Sequence, residues 1–453
     1  MANTYLTKTN SGTGSETKGT FSAWVKICEM GDDNTIFNEF ECSGNFISIK
    51  LKDGGDLQVN AQNNASAFIN VRTDAIHRDA SGWYNFVVAI DSTQATASDR
   101  IKMYVNGVLQ TSFSTATYPP QNQNCKINQN NEVQTVGGAG NAEHFSGLMS
   151  HIHWVDGTAY DASAFGSTDT TTGQWEINTS PTLTYGTNGF FILKNGNSLT
   201  DESPNSNNFT LGGGNLTNSE DNPSNVFATL NPWARDHSDQ DSSLTQGNNT
   251  YELTSYRFNT KSSLGMTKGK FYWEQLVNAS SHVRIGLCTS QFNSDLDADD
   301  TDAYYGSSIG FGGIYLLLSA ASTSWQRTNN DTSRNIDTYS NAIASGSSSI
   351  LMGAVDVDAG KLWIGVDGVW MYSGNPATGS NPQITFTNST PDPLHVYAGN
   401  GTDSNRINKY NFGNGYFGTT AISSEGVNAS GNGKFEYDVP TGYTALSTKG
   451  LNL

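Results

Sequence analysis

The sequence predicts an all-β protein made of two β-sandwich units, and three observations carry that expectation. Only 15% of the 453 residues are charged, aromatics reach 11%, and 47 residues are glycine. Asn, Ser, Thr and Gly crowd the chain where a helical protein carries Ala, Leu, Glu and Lys. Apolar and polar residues alternate over short runs bounded by turn residues, the pattern of half-buried strands. Finally, one three-strand meander occurs twice, some 260 residues apart.

The first copy is "WYNFVVAIDSTQATASDRIKMYVNGVLQTS", from Trp83 to Ser112, and the second is "SILMGAVDVDAGKLWIGVDGVWMYSG", from Ser349 to Gly374. Each has an apolar strand ending in Asp, a polar turn, a second strand, and an Asn-Gly or Asp-Gly before a third short strand. Asn106-Gly107 and Asp367-Gly368 are the dipeptides a type I′ hairpin demands, because both central residues need positive φ. Ile101, Met103 and Val105 alternate with Lys102, Tyr104 and Asn106, and Leu362, Ile364 and Val366 alternate with Trp363 and Gly365. One face of each strand is therefore core.

Between the copies, residues 166–225 are rich in turn signals around one clear strand, "GFFILKNG". A structureless stretch of that length is improbable in a compact domain. It is expected to be an ordered connector packed on the first sandwich. The organisation predicted is thus a first sandwich over 1–165, the connector over 166–225 and a second sandwich over 226–453.

Bulk properties exclude several classes. A net charge of −18 disfavours sequence-independent nucleic-acid binding, which needs Lys and Arg to displace phosphate counterions. It equally disfavours anionic membrane surfaces. No apolar stretch approaches the length of a transmembrane helix. "MANTYLTKTNSGTGSETKGT" lacks a basic segment followed by an apolar run, so no signal peptide is expected. Cys28, Cys42, Cys125 and Cys288 show no C-x-x-C spacing and are expected to be free thiols. The chain is expected to stay in the cytoplasm where it is made, or to be assembled there into a particle released by lysis.

"FSAWVK", "GWYNFVVAID…IKMYVNGVLQTS" and "SGLMSHIHWVDGTAYDASAFG" resemble the laminin-G-type jelly roll of the concanavalin A-like superfamily. "GKFYWEQLV", "VRIGLCTS", "GSSIGFGG" and "AVDVDAGKLWIGVDGVWMYSGNPATG" resemble a SPRY domain, another branch of that superfamily. The tandem, closing on "FEYDVPTGYTALSTKGLNL", is similar to virion proteins of tailed marine bacteriophages, particularly cyanophages. The resemblance implies two concanavalin A-like jelly-roll sandwiches in a non-enzymatic structural protein of the virion, a tail fibre or other surface appendage. Its lectin-like domains would then meet a host-surface glycan or receptor. Other virion proteins would be partners, and the chain would be a homo-oligomer, by the habit of phage fibres a trimer. A rival reading is a passive capsid or tail decoration module that contacts only virion proteins, and a third is a polysaccharide hydrolase.

Candidate residues fall into four groups. In "MSHIHWVDG", Leu148, Ile152 and Trp154 take one side of a strand, which turns His151 and His153 outward to solvent or to a subunit contact. Two imidazoles are too few for a zinc site, which takes three or four ligands. "NSDLDADDTDAYYG" gathers Asp295, Asp297, Asp299, Asp300 and Asp302. The Gly and the closing Glu of an EF-hand are missing, so this is a solvated acidic loop or a weak Ca²⁺ loop, and no cofactor is required. Glu39 with Glu41, and Asp356 with Asp358, are the nearest approaches to the alternating carboxylates of the superfamily's hydrolases. The first pair lacks a third carboxylate and the second sits where a turn begins, so no catalytic residue is assigned. Tyr304, Tyr305, Trp325, Trp370 and Tyr372 lie near turns of the second sandwich. Their rings are the candidates for stacking on sugars, although Trp370 and Tyr372 also fit a half-buried strand.

Overall fold

A computed structural model describes residues 3–452 apart from 30–31, 141, 235–241, 254–258, 279–282, 291–312, 319–323, 328–334, 339–347, 388–391 and 401–405. The chain forms two compact units, Met1–Asn218 and Ser219–Leu453. Among the described residues both are built almost wholly of antiparallel strands, and the single α-helix is the short Thr448–Leu451.

In the first unit one sheet has the spatial order Phe113–Thr117, Ser66–Ile76, Asp56–Asn63, Asn45–Leu51, Asn34–Cys42, Val133–Val136, Tyr5–Thr9, Thr210–Gly213. The other runs Phe190–Ile192, Gly147–Asp156, Lys18–Ile27, Tyr84–Asp91, Ile101–Val105, Val108–Leu109. Between them lies one apolar core that includes Phe21, Phe37, Ile49, Val59, Val88, Met103, Ile152 and Trp154. Asn34–Ile76 and Tyr84–Leu109 run as meanders, and strands distant in sequence, such as Asn34–Cys42 with Val133–Val136 and Lys18–Ile27 with Gly147–Asp156, join them, as in a jelly roll.

The first meander forms as the alternation requires. Ile101, Met103 and Val105 are buried while Lys102 and Tyr104 are half-buried. Asn106 and Gly107 take φ of 47° and 79°, and Asp367 and Gly368 take 46° and 84°, the paired positive values of a type I′ turn.

A second apolar cluster lies on the other face of the six-stranded sheet. There Val87 and Val155 are covered by Ala162, Phe165, Tyr185 and Phe191. The turn-rich segment after residue 160 thus supplies the lid of that face, and its strand Phe190–Ile192 pairs with Gly147–Asp156.

The second unit repeats the plan. One sheet has the order Ser242–Thr245, Thr250–Leu253, Arg406–Asn411, Lys270–Asn278, Ser348–Asp356, Lys361–Val366, Val369–Trp370. Ile384–Thr385 and Thr444–Ala445 add to its flanks. The other runs Asn259–Lys261, Leu394–Asn400, Val283–Thr289, Gly313–Leu318, Ser324–Arg327, Asn335–Thr338. Leu362, Ile364 and Val366 enter its main core, whereas Trp363 is buried on the opposite face among Tyr272, Met352, Phe435 and Tyr443.

Residues 219–225 belong to this unit by their bonds. Glu220 N–H donates to Asn414 O at 3.2 Å and its carboxylate meets Lys434 at 2.7 Å. Asp221 accepts from Phe227 N at 3.2 Å. A fragment spanning 219–453 is therefore expected to be soluble and folded. Asn225 adds two more bonds, from its Nδ2 to Asn432 Oδ1 at 2.9 Å and from Lys449 N to its Oδ1 at 3.1 Å. The 219–453 fragment should exceed a 226–453 fragment in stability by about 2–4 kcal/mol, the sum of four hydrogen bonds and one exposed ion pair. Denaturant midpoints of the two fragments check this, and equal midpoints or an aggregated 219–453 fragment would refute it.

Candidate functional site

A groove of about 360 Å³ opens on the first unit beside its N-terminal strand, lined by Thr7, Lys8, Thr9, Ser206, Asn207, Asn208 and Thr210. Tyr5–Thr9 lies between Val133–Val136 and Thr210–Gly213, and Thr7 stands opposite Thr210. Alternation along this strand sends Leu6 and Lys8 inward and leaves Thr7 and Thr9 on the outside.

The loop that brings Asn207 and Asn208 to the groove is organised by one buried carboxylate. Asp201 Oδ1 accepts from Phe191 N at 2.8 Å and Ser203 N at 2.9 Å, and Oδ2 accepts from Asn207 N at 2.7 Å and Ser203 Oγ at 2.8 Å. Asn207 Nδ2 in turn donates to the carbonyls of Thr187 and Gly189, and Asn208 Oδ1 accepts from Asp201 N. An Asx residue that bonds backbone amides further along holds such a loop rigidly. The groove therefore offers hydroxyls and side-chain amides in fixed positions, while the Lys8 amine turns inward to Asn10, and no aromatic ring is among its lining residues. Such a set suits a ligand rich in hydroxyl groups.

His151 and His153 are not on a solvent-facing surface, which corrects the expectation from the sequence. Ile152 and Trp154 do face the sandwich core, and His153 does point the other way. That other face is covered, however. His153 is 2% exposed, stacks on Phe191 at 3.9 Å between ring centroids, and shares a 2.9 Å hydrogen bond between Nδ1 and Tyr185 Oη. His151 sits at an irregularity where pairing with Lys18–Ile27 shifts register, with φ of 49°, and is also buried. Burial holds His151 down at about 4 and His153 well below the ordinary imidazole value, with Lys194 pushing both the same way.

The carboxylate candidates do not face one cleft. Glu39 is buried, accepting from Asn10 Nδ2, Gln129 N and Gln134 Nε2. Burial pushes it up to about 7 against the Gln134 side chain, the Asn128 and Gln129 backbone and the charge of Lys8. Glu41 lies on the outside and pairs with Lys126 at 3.1 Å. Asp356 pairs with Lys270 at 3.1 Å and caps Ala359 N, while Asp358 is exposed and accepts from Gly269 N. Both are turn residues in their roles.

Tyr304, Tyr305 and the acidic run Asp295, Asp297, Asp299, Asp300 and Asp302 lie outside the described residues. Trp325 takes a place in the strand Ser324–Arg327, opposite Leu318 and Asp337 in the sheet, and so stands in regular pairing. Trp370 is half-buried, edge-on to Tyr272 at 6.3 Å. Tyr372 is 47% exposed in a tight turn with φ of 50°. The groove belongs to the first unit and these two aromatics to the second.

Sequence reasoning missed Thr7, Thr9, Asn207 and Asn208. The available signal was the Asn-rich "DESPNSNNFT", in which Asp201 precedes amide-bearing turn residues.

Residues 2–163 match the concanavalin A-like lectin/glucanases superfamily, in its laminin G type. No curated protein matches the chain. Among solved structures the chain is similar to the SPRY domain of human HERC1, at 13% identity over 40% of this chain and 96% of that one, with a TM-score of 0.26. It is also similar to the native heptameric SAP-like pentraxin from Limulus polyphemus, at 17% identity over 35% and 72%, with a TM-score of 0.27. A third likeness is to the TRIM65 PSpry domain, at 16% identity over 41% and 88%, with a TM-score of 0.28.

Proposed function

We propose that this chain is a non-enzymatic binding protein of a bacteriophage particle, carried on a tail fibre or other appendage, whose first sandwich recognises a host-surface glycan. The observation that carries the binding role is the groove beside Tyr5–Thr9, whose hydroxyl and amide lining lies on the unit that matches the lectin superfamily. The separate engagements of Glu39 and Glu41 favour binding over hydrolysis, since hydrolysis needs two carboxyl groups flanking one bond. The phage setting rests on the tandem of sequence motifs. A symmetric homo-oligomer, a trimer by that resemblance, fits repeated display on a particle.

A glycan array on the full chain, with Thr9→Trp alongside, tests the reading. Thr9 is exposed on the groove, so an indole there fills the space without touching the Asp201 bonds. Selective retention of a few sugars by the wild type, reduced about tenfold or more in Thr9→Trp, is expected. No retention by the wild type, together with contacts only to virion proteins on labelled particles, would favour the decoration role instead.

A further inference from the structure

Lys8, Asn10 and Glu39 meet inside the first unit, 7%, 1% and 2% exposed. Lys8 and Asn10 are two residues apart on an extended segment, so their side chains project to the same side. Lys8 Nζ donates to Asn10 Oδ1 at 2.9 Å. Asn10 Nδ2 donates to Glu39 Oε1 at 3.1 Å and to Gln129 O at 3.0 Å. Glu39 is itself fixed by Gln129 N and Gln134 Nε2, both at 2.9 Å. An amine, a carboxamide and a carboxyl group are thus locked in one chain away from water.

We propose that Lys8 and Asn10 join through an intramolecular isopeptide bond, with Glu39 moving the proton. The Nζ lone pair of the neutral amine attacks Asn10 Cγ, one carbonyl bond from the Oδ1 it already touches. Glu39 in its acid form gives a proton to Nδ2, the Cγ–Nδ2 bond breaks, and ammonia leaves. The proton lost by Nζ returns to Glu39. One amide replaces another, nothing is oxidised or reduced, and no co-reactant enters.

Each requirement has its source in the site. Nζ is held 2.9 Å from Oδ1 of the carboxamide it attacks, which lowers the entropic part of the barrier. Burial lowers Lys8 to about 8 against the opposing charge of Glu39, so roughly a tenth of the amine is neutral at pH 7. Burial raises Glu39 to about 7, so about half of it carries the proton it must donate. The leaving nitrogen, rather than the oxygen, is the Asn10 atom that faces Glu39. The product also removes a cost of the fold, because a buried ammonium becomes a neutral amide. A ring between residues two apart closes almost no loop, so the bond acts through charge and not through chain entropy.

The test is the mass of the purified full chain and of its tryptic peptides. The wild type is expected about 17 Da light, the mass of one ammonia. Trypsin should yield a peptide ending at Lys18 that is uncut at Lys8 and carries the same deficit. A succinimide at Asn10-Ser11 also loses ammonia but leaves Lys8 cleavable, so it gives two peptides and overturns the proposal. Lys8→Arg should restore full mass, and Glu39→Gln should do so if it folds. A deficit persisting in folded Glu39→Gln overturns the role of Glu39. Wild type of full mass, cut at Lys8, overturns the bond itself whatever the variants do.

Discussion

Glu274→Ala is expected to destabilise the second unit by about 3–5 kcal/mol, with Glu274→Gln costing about 1–2 kcal/mol. The strand Lys270–Asn278 places Phe271, Trp273 and Val277 in the main core and turns Tyr272 and Glu274 to the opposite face. There the Glu274 carboxylate is fully buried and has four donors. Oε1 accepts from Tyr437 N at 2.8 Å and Tyr272 Oη at 3.0 Å, while Oε2 accepts from Glu436 N at 2.9 Å and Asn411 Nδ2 at 3.2 Å. The two backbone donors bring in the C-terminal segment, whose Phe435 meets Tyr272 edge-on at 4.8 Å.

Alanine strands the Glu436 and Tyr437 amides and the Tyr272 hydroxyl together, each worth about 1–3 kcal/mol when left unpaired, less what water recovers. Glutamine keeps one acceptor oxygen and presents an NH₂ group to the other donors. Burial pushes the Glu274 carboxyl up to about 7 despite its donors. A carboxyl raised in this way binds its proton in the folded state first, so its contribution to stability falls as pH rises from about 4.5 to 7 and is level above. Denaturant unfolding followed through the second unit's aromatic signal measures the loss. A change under about 1 kcal/mol for alanine would mean that the C-terminal segment docks by its apolar rings alone.

What the sequence made legible was what depends on near neighbours. Asn106-Gly107 and Asp367-Gly368 form the turns their φ preferences require, and Ile101, Met103 and Val105 fall on one face because a strand has period two. What it hid was the fate of the other face. Alternation sends His153 away from Trp154, yet Tyr185 and Phe191, more than thirty residues on, cover it. Alternation likewise sets Trp363 opposite Leu362 and Ile364, and Phe435 and Tyr443 bury it. Periodicity separates two faces but cannot say that a later segment makes both of them core.

The buried carboxylates were unread for the same reason. In sequence Glu39 reads as the alternating neighbour of Glu41, while its actual partners are Asn10, Gln129 and Gln134. The pairing of Asn34–Cys42 with Asn45–Leu51 also shifts register between Phe40 and Cys42, which spoils strict alternation there. For Glu274 the signal was present in "KFYWEQLVN", where a lone acid stands in an aromatic strand. Such an acid is either exposed or bonded on all sides, and only long-range structure decides which.

The first unit is expected to lose more than about 3 kcal/mol of stability between pH 6.5 and pH 4 through His151 and His153, and a variant lacking both should not. Each imidazole is held neutral by burial, so its folded pKa lies below its unfolded one. The unfolded chain then takes up protons that the folded chain refuses, and stability present above about pH 6.5 is lost as pH falls toward the folded values. A shift of His151 from 6.5 to about 4 corresponds by itself to about 3 kcal/mol, and His153, shifted the same way by burial, adds to it. The groups around the pair give no relief. Lys194 lies over the Phe191 ring at 5.4 Å from its centroid, and the Tyr185 hydroxyl, itself pushed out of reach of titration by burial, can accept only one proton bond from His153. Other groups of this unit also respond, His77 and Glu39 foremost. His77, lowered to about 4 by burial, steepens the loss, while Glu39, raised to about 7, gains stability as pH falls and offsets part of it. A difference between proteins removes these, since they are common to each. His151→Asn tolerates the positive φ at that position, and His153→Phe keeps a ring against Phe191 while leaving the Tyr185 hydroxyl short of a partner. That double variant should be less stable than wild type at pH 7.5, and the deficit should shrink by about 3 kcal/mol or more at pH 4. Urea unfolding at the two pH values gives the double difference directly. A deficit that stays constant would show that the two imidazoles are reached by protons without opening the segment that carries Tyr185 and Phe191.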